Sequence, residues 1–436
     1  MATKTSNFQL ILRIVFGGFI VVAVLIFAGV LPGFQKESQG TGGEVTLWGS
    51  IPEEIMQPLV SGLNGTYSGE FSLIYEEKNN NTFESDLLEA LAAGVGPDIF
   101  ILPHDLILSH RDKVLPISLE VVSERDFRSA FSEEGELYFT ENGALALPLY
   151  VNPIVMYWNR DLFSSANIAN PPEFWDELVL LIPQLTEVGQ SKHISQAAVS
   201  FGEFSNVLHA KDIISMLILQ TGNTITEFNS RGVIESVLTE VVEGFTSQPV
   251  ESVLRFYTEF SNPSKPVYSW NRSLSNSKNA FIAEELAMYF GYASELRDIA
   301  TKNPHLNFDV AVVPQIRDLK NRLTYGRMGA VAIAKNSDNA LTALQVALIL
   351  SGREFSDEFS RAIAVPSARR DILSQKQTDA YNAIFYESAL LSDGWLDPSP
   401  EETYTIFKDM VEGVTSGKFR ISEAVMSADA QIDRIK

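Results

Sequence analysis

The segment that most restricts the fold is Gly94 to Asp105, which reads GVGPDIFILPHD. Gly94 and Pro97 punctuate it, and Asp98-Ile99-Phe100-Ile101-Leu102 follows as a nearly unbroken apolar strand. A strand without polar alternation is buried on both faces, as in a parallel sheet. The residues upstream supply the rest of the unit. Glu44 to Ser50 (EVTLWGS) is a short β-type run, Pro52 to Leu63 opens a helix, and Phe71 to Glu77 is a second strand. Phe83 to Ala93 carries Phe83, Leu87, Leu88 and Leu91 at helical spacing, and Gly94 stops it. Strand–helix–strand alternation predicts an α/β fold.

Later segments follow the same scheme. Leu145 to Trp158 is a long extended run whose prolines, Pro148 and Pro153, fit an edge or a bend better than a central ladder. Helices are predicted over Pro172 to Leu185, Lys211 to Gln220, and Val250 to Phe260. Phe308 to Pro314 and Gly329 to Ala334 read as strands. A helix over Asn339 to Leu350 takes Ser337 as its cap. The last third reads as mostly helical.

The N-terminus differs in kind. Ile14 to Leu31 is uncharged and apolar throughout, with Arg13 before it and Lys36 the next charge. A run of that length reads as a transmembrane helix, whereas the apolar part of a cleavable signal is about 7–15 residues. Lys4 and Arg13 place the preceding stub in the cytoplasm and everything after Pro32 outside. Gln35 to Gly43 reads as a flexible tether. Cleavage near Ala28-Gly29 is the alternative, and both readings export the body.

Acidic residues outnumber basic ones by 55 to 33, a formal charge of −22. Nucleic acid is therefore excluded as a partner, because phosphate recognition needs a basic surface. The absence of cysteine excludes disulfides, thiolate nucleophiles, zinc–thiolate sites, and an acylated-cysteine anchor. The hydrolase, phosphate-loop, dinucleotide and metalloprotease motifs are missing. The five histidines (His104, His110, His193, His209 and His305) are not spaced as a metal pair on one helix face, and read as surface or loop residues with their bonding satisfied. No catalytic residue, metal or cofactor is expected. A carboxylate pair for glycoside hydrolysis is not excluded by counting alone. Trp48, Tyr150, Phe204, Trp270, Tyr289, Tyr292 and Trp395 sit beside turns, where an aromatic serves either as core or as a ligand platform. Polar candidates near them are Ser50, His104, Asp105, Asn152, Glu203, Asn206 and Arg327.

Taken in order, these segments resemble the extracellular solute-binding protein family 1, the maltose-binding-protein-like receptors of ABC importers. EVTLWGS resembles the family's opening strand. GVGPDIFILPHD resembles its Gly-Pro-Asp strand and polar turn. ALPLYVNPIVMYWNRDLF (Ala146 to Phe163) resembles its crossover strand. NPPEFWDELVLLIPQLT (Asn170 to Thr186) is similar to its Pro-Pro helix, with Phe174 in place of the usual threonine. FIAEELAMYFGYASEL (Phe281 to Leu296) is similar to its Ala-Met strand, although Glu284-Glu285 departs from the usual pair. The match covers Glu44 to Lys436.

The resemblance implies a two-lobed periplasmic-binding-protein-like fold that closes by a hinge. Lobe one takes 44–151 and 325–362, lobe two takes 152–324 and 363–436, and residues 1–43 form the stub, anchor and tether. It also implies a ligand site at Trp48, Ser50, His104, Asp105, Tyr150, Asn152, Phe204, Asn206, Tyr292 and Arg327. The expected function is that of an importer's receptor, a monomer anchored on the outer side of the cell membrane. It would capture a small solute, with carbohydrate favoured, and present it to permease subunits. Arg327 stands where small residues are common. It fits either an acidic ligand or an internal ion pair. An exported glycan-processing enzyme and a solute sensor or adhesion protein on the same fold are the competing readings.

Overall fold

The computed structural model describes residues 43–240, 248–317, 319 and 322–435. The expected membrane helix at 14–31 and its tether as far as residue 42 lie outside the described residues, and Gly43, expected as the tether's last residue, begins the first strand. Among the described residues no helix is long and apolar enough to cross a membrane.

The described residues begin with three parallel strands and two crossover helices. They are β1 (Gly43–Gly49), α1 (Glu53–Thr66), β2 (Phe71–Glu77), α2 (Phe83–Ala93) and β3 (Ile99–Pro103). Gly94 ends α2 in the left-handed region, at φ 71°, where glycine carries no Cβ penalty. The long strand β4 (Ala146–Asn159) follows. Next come α3 (Trp175–Leu185), β5 (Ile194–Val199), α4 (Ala210–Gln220), α5 (Pro249–Glu259), β6 (Leu286–Tyr292) and β7 (Phe308–Ala311). A second long strand, β8 (Thr324–Ile333), precedes α6 (Ala340–Leu350), α7 (Arg353–Ile363), α8 (Ala380–Leu390), the short β9 (Ser392–Asp393), α9 (Pro400–Thr415) and α10 (Ile421–Ile432).

The sheet order is β2–β1–β3–β8–β4–β6–β5, ended by the short strand Glu187–Val188, with β7 on β4 and β9 beside β8. β4 is shared between two halves. Its first half pairs antiparallel with β8, from Ala146↔Ala332 to Pro153↔Gly326. Its second half pairs antiparallel with β6 and β7. Of the edge or bend expected from its prolines, the edge is corrected, because β4 lies inside the sheet, and the irregularities fall at the prolines. Pro148 faces the bulge between Gly329 and Ala330, and Pro153 stands where β4 leaves β8 for β6. Neither missing N–H breaks a regular ladder.

Two apolar cores lie on either side of this handover. One gathers the β1–β3 half with Val151, Met328, Phe355 and Phe359. The other gathers Ile154, Trp175, Trp270, Tyr289, Tyr292, Tyr325 and the helices α9 and α10. Ala368, Leu373 and Ala389 pack in the first core, beyond the expected boundary at residue 362. The chain therefore passes from one core to the other between Val151 and Ile154, and back between Tyr325 and Met328, on two neighbouring strands.

Three local expectations change. β8 starts at Thr324 rather than Gly329, because Thr324 and Tyr325 gain β9 as a partner. β7 ends at Ala311, short of Pro314. Asn339 rather than Ser337 occupies the N-cap of α6. Ser337 bonds the Asp98 carboxylate and accepts the Asn339 N–H.

Candidate functional site

The parallel strands β1, β2 and β3 all end at the same edge of the sheet, which is where open α/β sheets bind ligands. Trp48 and Ser50 lie at the end of β1, Lys78 just past β2, and His104 and Asp105 just past β3. Trp48 is 8% exposed, and Lys78 covers its ring with Nζ 3.6 Å from the centroid. Ser50 is exposed and Asp105 half-buried.

The floor comes from the two crossing strands. Arg327 on β8 is opposite Asn152 on β4. The Arg327 Nη2 donates to Asp212 Oδ2 at 2.8 Å. The Tyr292 hydroxyl donates to the same oxygen at 2.7 Å. The guanidinium carbon lies 4.8 Å from the Tyr292 ring centroid. Three elements thus meet on one carboxylate: β8, β6 and the first turn of α4. Burial works against the Asp212 charge, yet Arg327 and His209 outweigh it and hold the carboxyl below its usual range. The Arg327 side chain keeps 51% of its accessible surface, although protein surrounds it closely enough for desolvation to oppose its charge. A group both wetted and enclosed belongs to the floor of a cleft. Its other donors have no partner among the described residues, and neither has the Asp105 carboxylate. Burial and the nearby Asp105 push the Tyr150 phenol up to about 12.

A second tier fixes this floor. His209, the N-cap of α4, adopts left-handed backbone at φ 63°, uncommon for any residue but glycine. Its Nε2 bonds Glu295 Oε1 at 2.7 Å, and its ring meets Tyr292 edge-on at 4.6 Å. Glu295 also accepts the Tyr292 N–H and the Tyr289 hydroxyl. Lys211 is committed to Asp397, Thr403 and the Pro400 carbonyl. Asn152 bridges the halves by bonding the Ser294 hydroxyl and backbone N–H at 2.9 and 3.1 Å. Beside Ser109, burial pushes the Glu84 carboxyl up, and the charges of Asp105 and Glu401 add to the effect.

His104 is 1% exposed, which corrects its reading as a surface or loop residue. Its Nδ1 accepts the Met328 N–H at 3.1 Å, so the proton belongs on Nε2, which donates to the Tyr325 hydroxyl at 3.1 Å. It therefore stands behind the floor.

Of the expected residues, His104, Asp105, Tyr150, Asn152, Tyr292 and Arg327 come together here. Phe204 and Asn206 do not join these contacts. Phe204 is 1% exposed and packs against Tyr404. Asn206 spends its amide on the Trp270 indole and the Asn271 and Leu274 carbonyls. Trp270 and Trp395 are buried in the second core. Sequence reasoning missed Asp212, His209, Glu295, Ser294 and Lys78. The available signal was Lys211-Asp212, two charges opening an otherwise apolar helix. A concavity of about 820 Å³ lies elsewhere, beside β7 and lined by Trp158, Phe174, Val310 and Ile316. The floor residues do not line it.

Residues 64–423 match the family described as bacterial extracellular solute-binding protein. A binding protein of Brucella abortus is 21% identical over 447 residues, covering 94% of this chain and 98% of the relative. Among solved structures, the cyclic α-maltosyl-1,6-maltose binding protein of Arthrobacter globiformis superposes with a TM-score of 0.74 at 14% identity, covering 90% of this chain and 99% of that one. An ABC transporter solute-binding protein of Thermotoga lettingae, bound with α-D-tagatose, gives 0.66 at 18%, covering 90% and 100%.

Proposed function

Because the chain belongs to the bacterial extracellular solute-binding protein family, whose work lies outside the cytoplasm, we propose that it is the substrate-binding receptor of an ABC importer. It captures a carbohydrate between its two lobes and presents it to membrane permease subunits. The observation that carries this reading is the half-open Arg327 on the crossing strands, neutralised by Asp212 and facing the unpartnered Asp105. Hydroxyl groups both donate and accept, so a polyol satisfies the guanidinium and the carboxylate together. The Tyr292 ring lies under the guanidinium and Tyr150 borders it.

This geometry supports the internal ion pair over an acidic ligand. Asp212 already compensates Arg327, and Asp105 adds a second carboxylate beside it, so a ligand carboxylate meets net negative charge there. The solved relatives named for maltosyl-maltose and tagatose favour the same class. Trp48, Ser50, Asp105, Tyr150, Asn152, Tyr292 and Arg327 form the ligand-facing set of this proposal, His104 supports it from behind through Tyr325 and Met328, and Phe204 and Asn206 fall outside it. The two cores act as lobe one and lobe two, and β4 and β8 as the hinge between them. The apolar run at 14–31 serves as the tether to the membrane.

A thermal-shift screen of the full-length protein with maltotriose, a cyclic maltodextrin, mannotriose, tagatose and glucuronate tests the reading. Neutral saccharides should raise the melting temperature with the logarithm of ligand concentration, and Arg327→Ala should weaken that response at least tenfold. A response to glucuronate alone, or hydrolysis of the saccharides, overturns it.

A further inference from the structure

The floor is backed by a buried acid that none of these contacts uses. Glu134 lies in the helical turn Glu133–Tyr138 of the first core and is 0% exposed. Neither of its oxygens has a hydrogen-bond partner of good geometry among the described residues. Its Oε1 is 3.3 Å from His104 Nδ1. Its Oε2 packs so closely on Gly326 of β8 that a Cβ there would collide with it. The titratable groups around the pair are Tyr138 on the same turn, Asp393 on β9, Tyr325 and Arg327 on β8, Asp105 beside His104, and Lys211 and Asp212 on α4. Burial, and then the Asp393 charge, push the Glu134 carboxyl well up. Burial pushes the His104 imidazole down. Both partners are driven to their neutral forms, which leaves the Glu134 carboxyl proton between Oε1 and Nδ1 and the imidazole proton on Nε2. The Glu134 O–H lies 3.3 Å from Nδ1 and competes with the Met328 N–H for its single lone pair, a three-centre contact.

We propose that Glu134 is a positioning residue: its carboxyl shares a proton with His104 Nδ1 and thereby fixes Gly326–Met328, setting both Arg327 and Asp105 at the cleft floor. This rests on the reading of that floor as the binding site. Arg327 is clamped from both sides, by Glu134 against Gly326 and by His104 against the Met328 N–H. Asp105 follows His104 directly in the chain. When the shared proton leaves, the carboxylate demands donors. The histidine must then turn its remaining proton to Nδ1, and both the Tyr325 and Met328 contacts change hands.

The test follows the thermal unfolding and maltotriose affinity of the full-length protein from pH 6 to 10, for wild type, Glu134→Gln and Glu134→Ala. The glutamine amide donates to Nδ1 without ionising, so that variant should fold and bind with little pH dependence. The folded wild type holds a proton that the unfolded chain releases above the ordinary glutamate range. Its folding equilibrium should therefore weaken relative to Glu134→Gln by about tenfold per pH unit until the folded-state value is passed. Its affinity should decline in step, and Glu134→Ala should bind weakly at every pH. Nitrogen-15 spectra should show His104 Nδ1 without a proton at neutral pH. Parallel stability profiles for wild type and Glu134→Gln overturn the shared proton. Equal affinities of those two proteins at every pH overturn the positioning role. If wild type binds no maltotriose, the carbohydrate reading fails, while the stability profiles and the His104 spectrum still decide the proton.

Discussion

Of the five N–H donors that a guanidinium carries, Asp212 takes one from Arg327 at 2.8 Å and Tyr292 supplies a ring face. The ion pair keeps the arginine in place without satisfying it. Replacing Asp212 by Asn keeps an acceptor for both partners but removes the compensating charge. Asp212→Asn should therefore lower saccharide affinity about tenfold and shift preference toward acids, read by titration calorimetry with maltotriose and glucuronate. Glu295 tests the tier below. Burial opposes its charge, but His209, Lys278 and the Tyr292 N–H prevail and hold its carboxyl down at about 2. A depressed carboxylate stabilises the fold above its unfolded value and loses that contribution as pH falls through the folded one. Wild type should therefore lose about 3 kcal/mol more stability than Glu295→Gln between pH 4.5 and 2, measured by urea unfolding. Equal acid sensitivity would mean that the bonds to His209 and Tyr292 do not hold the charge.

At the scale of elements, the crossing pair β4–β8 carries the consequences. Gly326 and Gly329 sit on β8 where a side chain would strike Glu134 and the Tyr150 ring. Gly326→Ala should cost about 3 kcal/mol through overpacking, seen as a lowered melting temperature. Adding Glu134→Ala should recover part of that loss, since contacting residues do not behave additively. Plain additivity would show that the clash is relieved elsewhere. The same pair explains what the sequence made legible. Phe71–Glu77 and Phe83–Ala93 were readable to the residue because period and punctuation agree there. The first half of β8, Thr324 to Met328, was not, because Gly326 and Arg327 interrupt its apolar pattern. Its strand character comes from β4 and β9, which are distant in sequence. Asp212 was hidden for a similar reason. Its role depends on β8 and β6 reaching α4, which spacing along one helix does not reveal.

The whole molecule has two cores joined by neighbouring strands and bridged by Arg327–Asp212 and Asn152–Ser294. Two strands crossing side by side resist shear more than rotation, so the relative motion they allow is a hinge. Polar bridges of this kind contribute modestly, about 1 kcal/mol each, so solvent can replace them when the lobes part. A ligand that contacts both lobes shifts the balance only by its differential affinity for the closed form. Arg327→Ala removes the proposed ligand contact and the bridge to Asp212 together, which should lower closure as well as affinity. The absence of cysteine makes this measurable. Val95, 73% exposed near the first core, and Met426, 53% exposed on α10 of the second, accept introduced cysteines for a pair of spin labels. Maltotriose should narrow and shift the distance distribution between them. In Arg327→Ala at the same saccharide concentration, it should remain that of the unliganded protein. Unchanged distances in wild type at saturating saccharide would mean that the crossing strands are a rigid strut, and that binding occurs without closure.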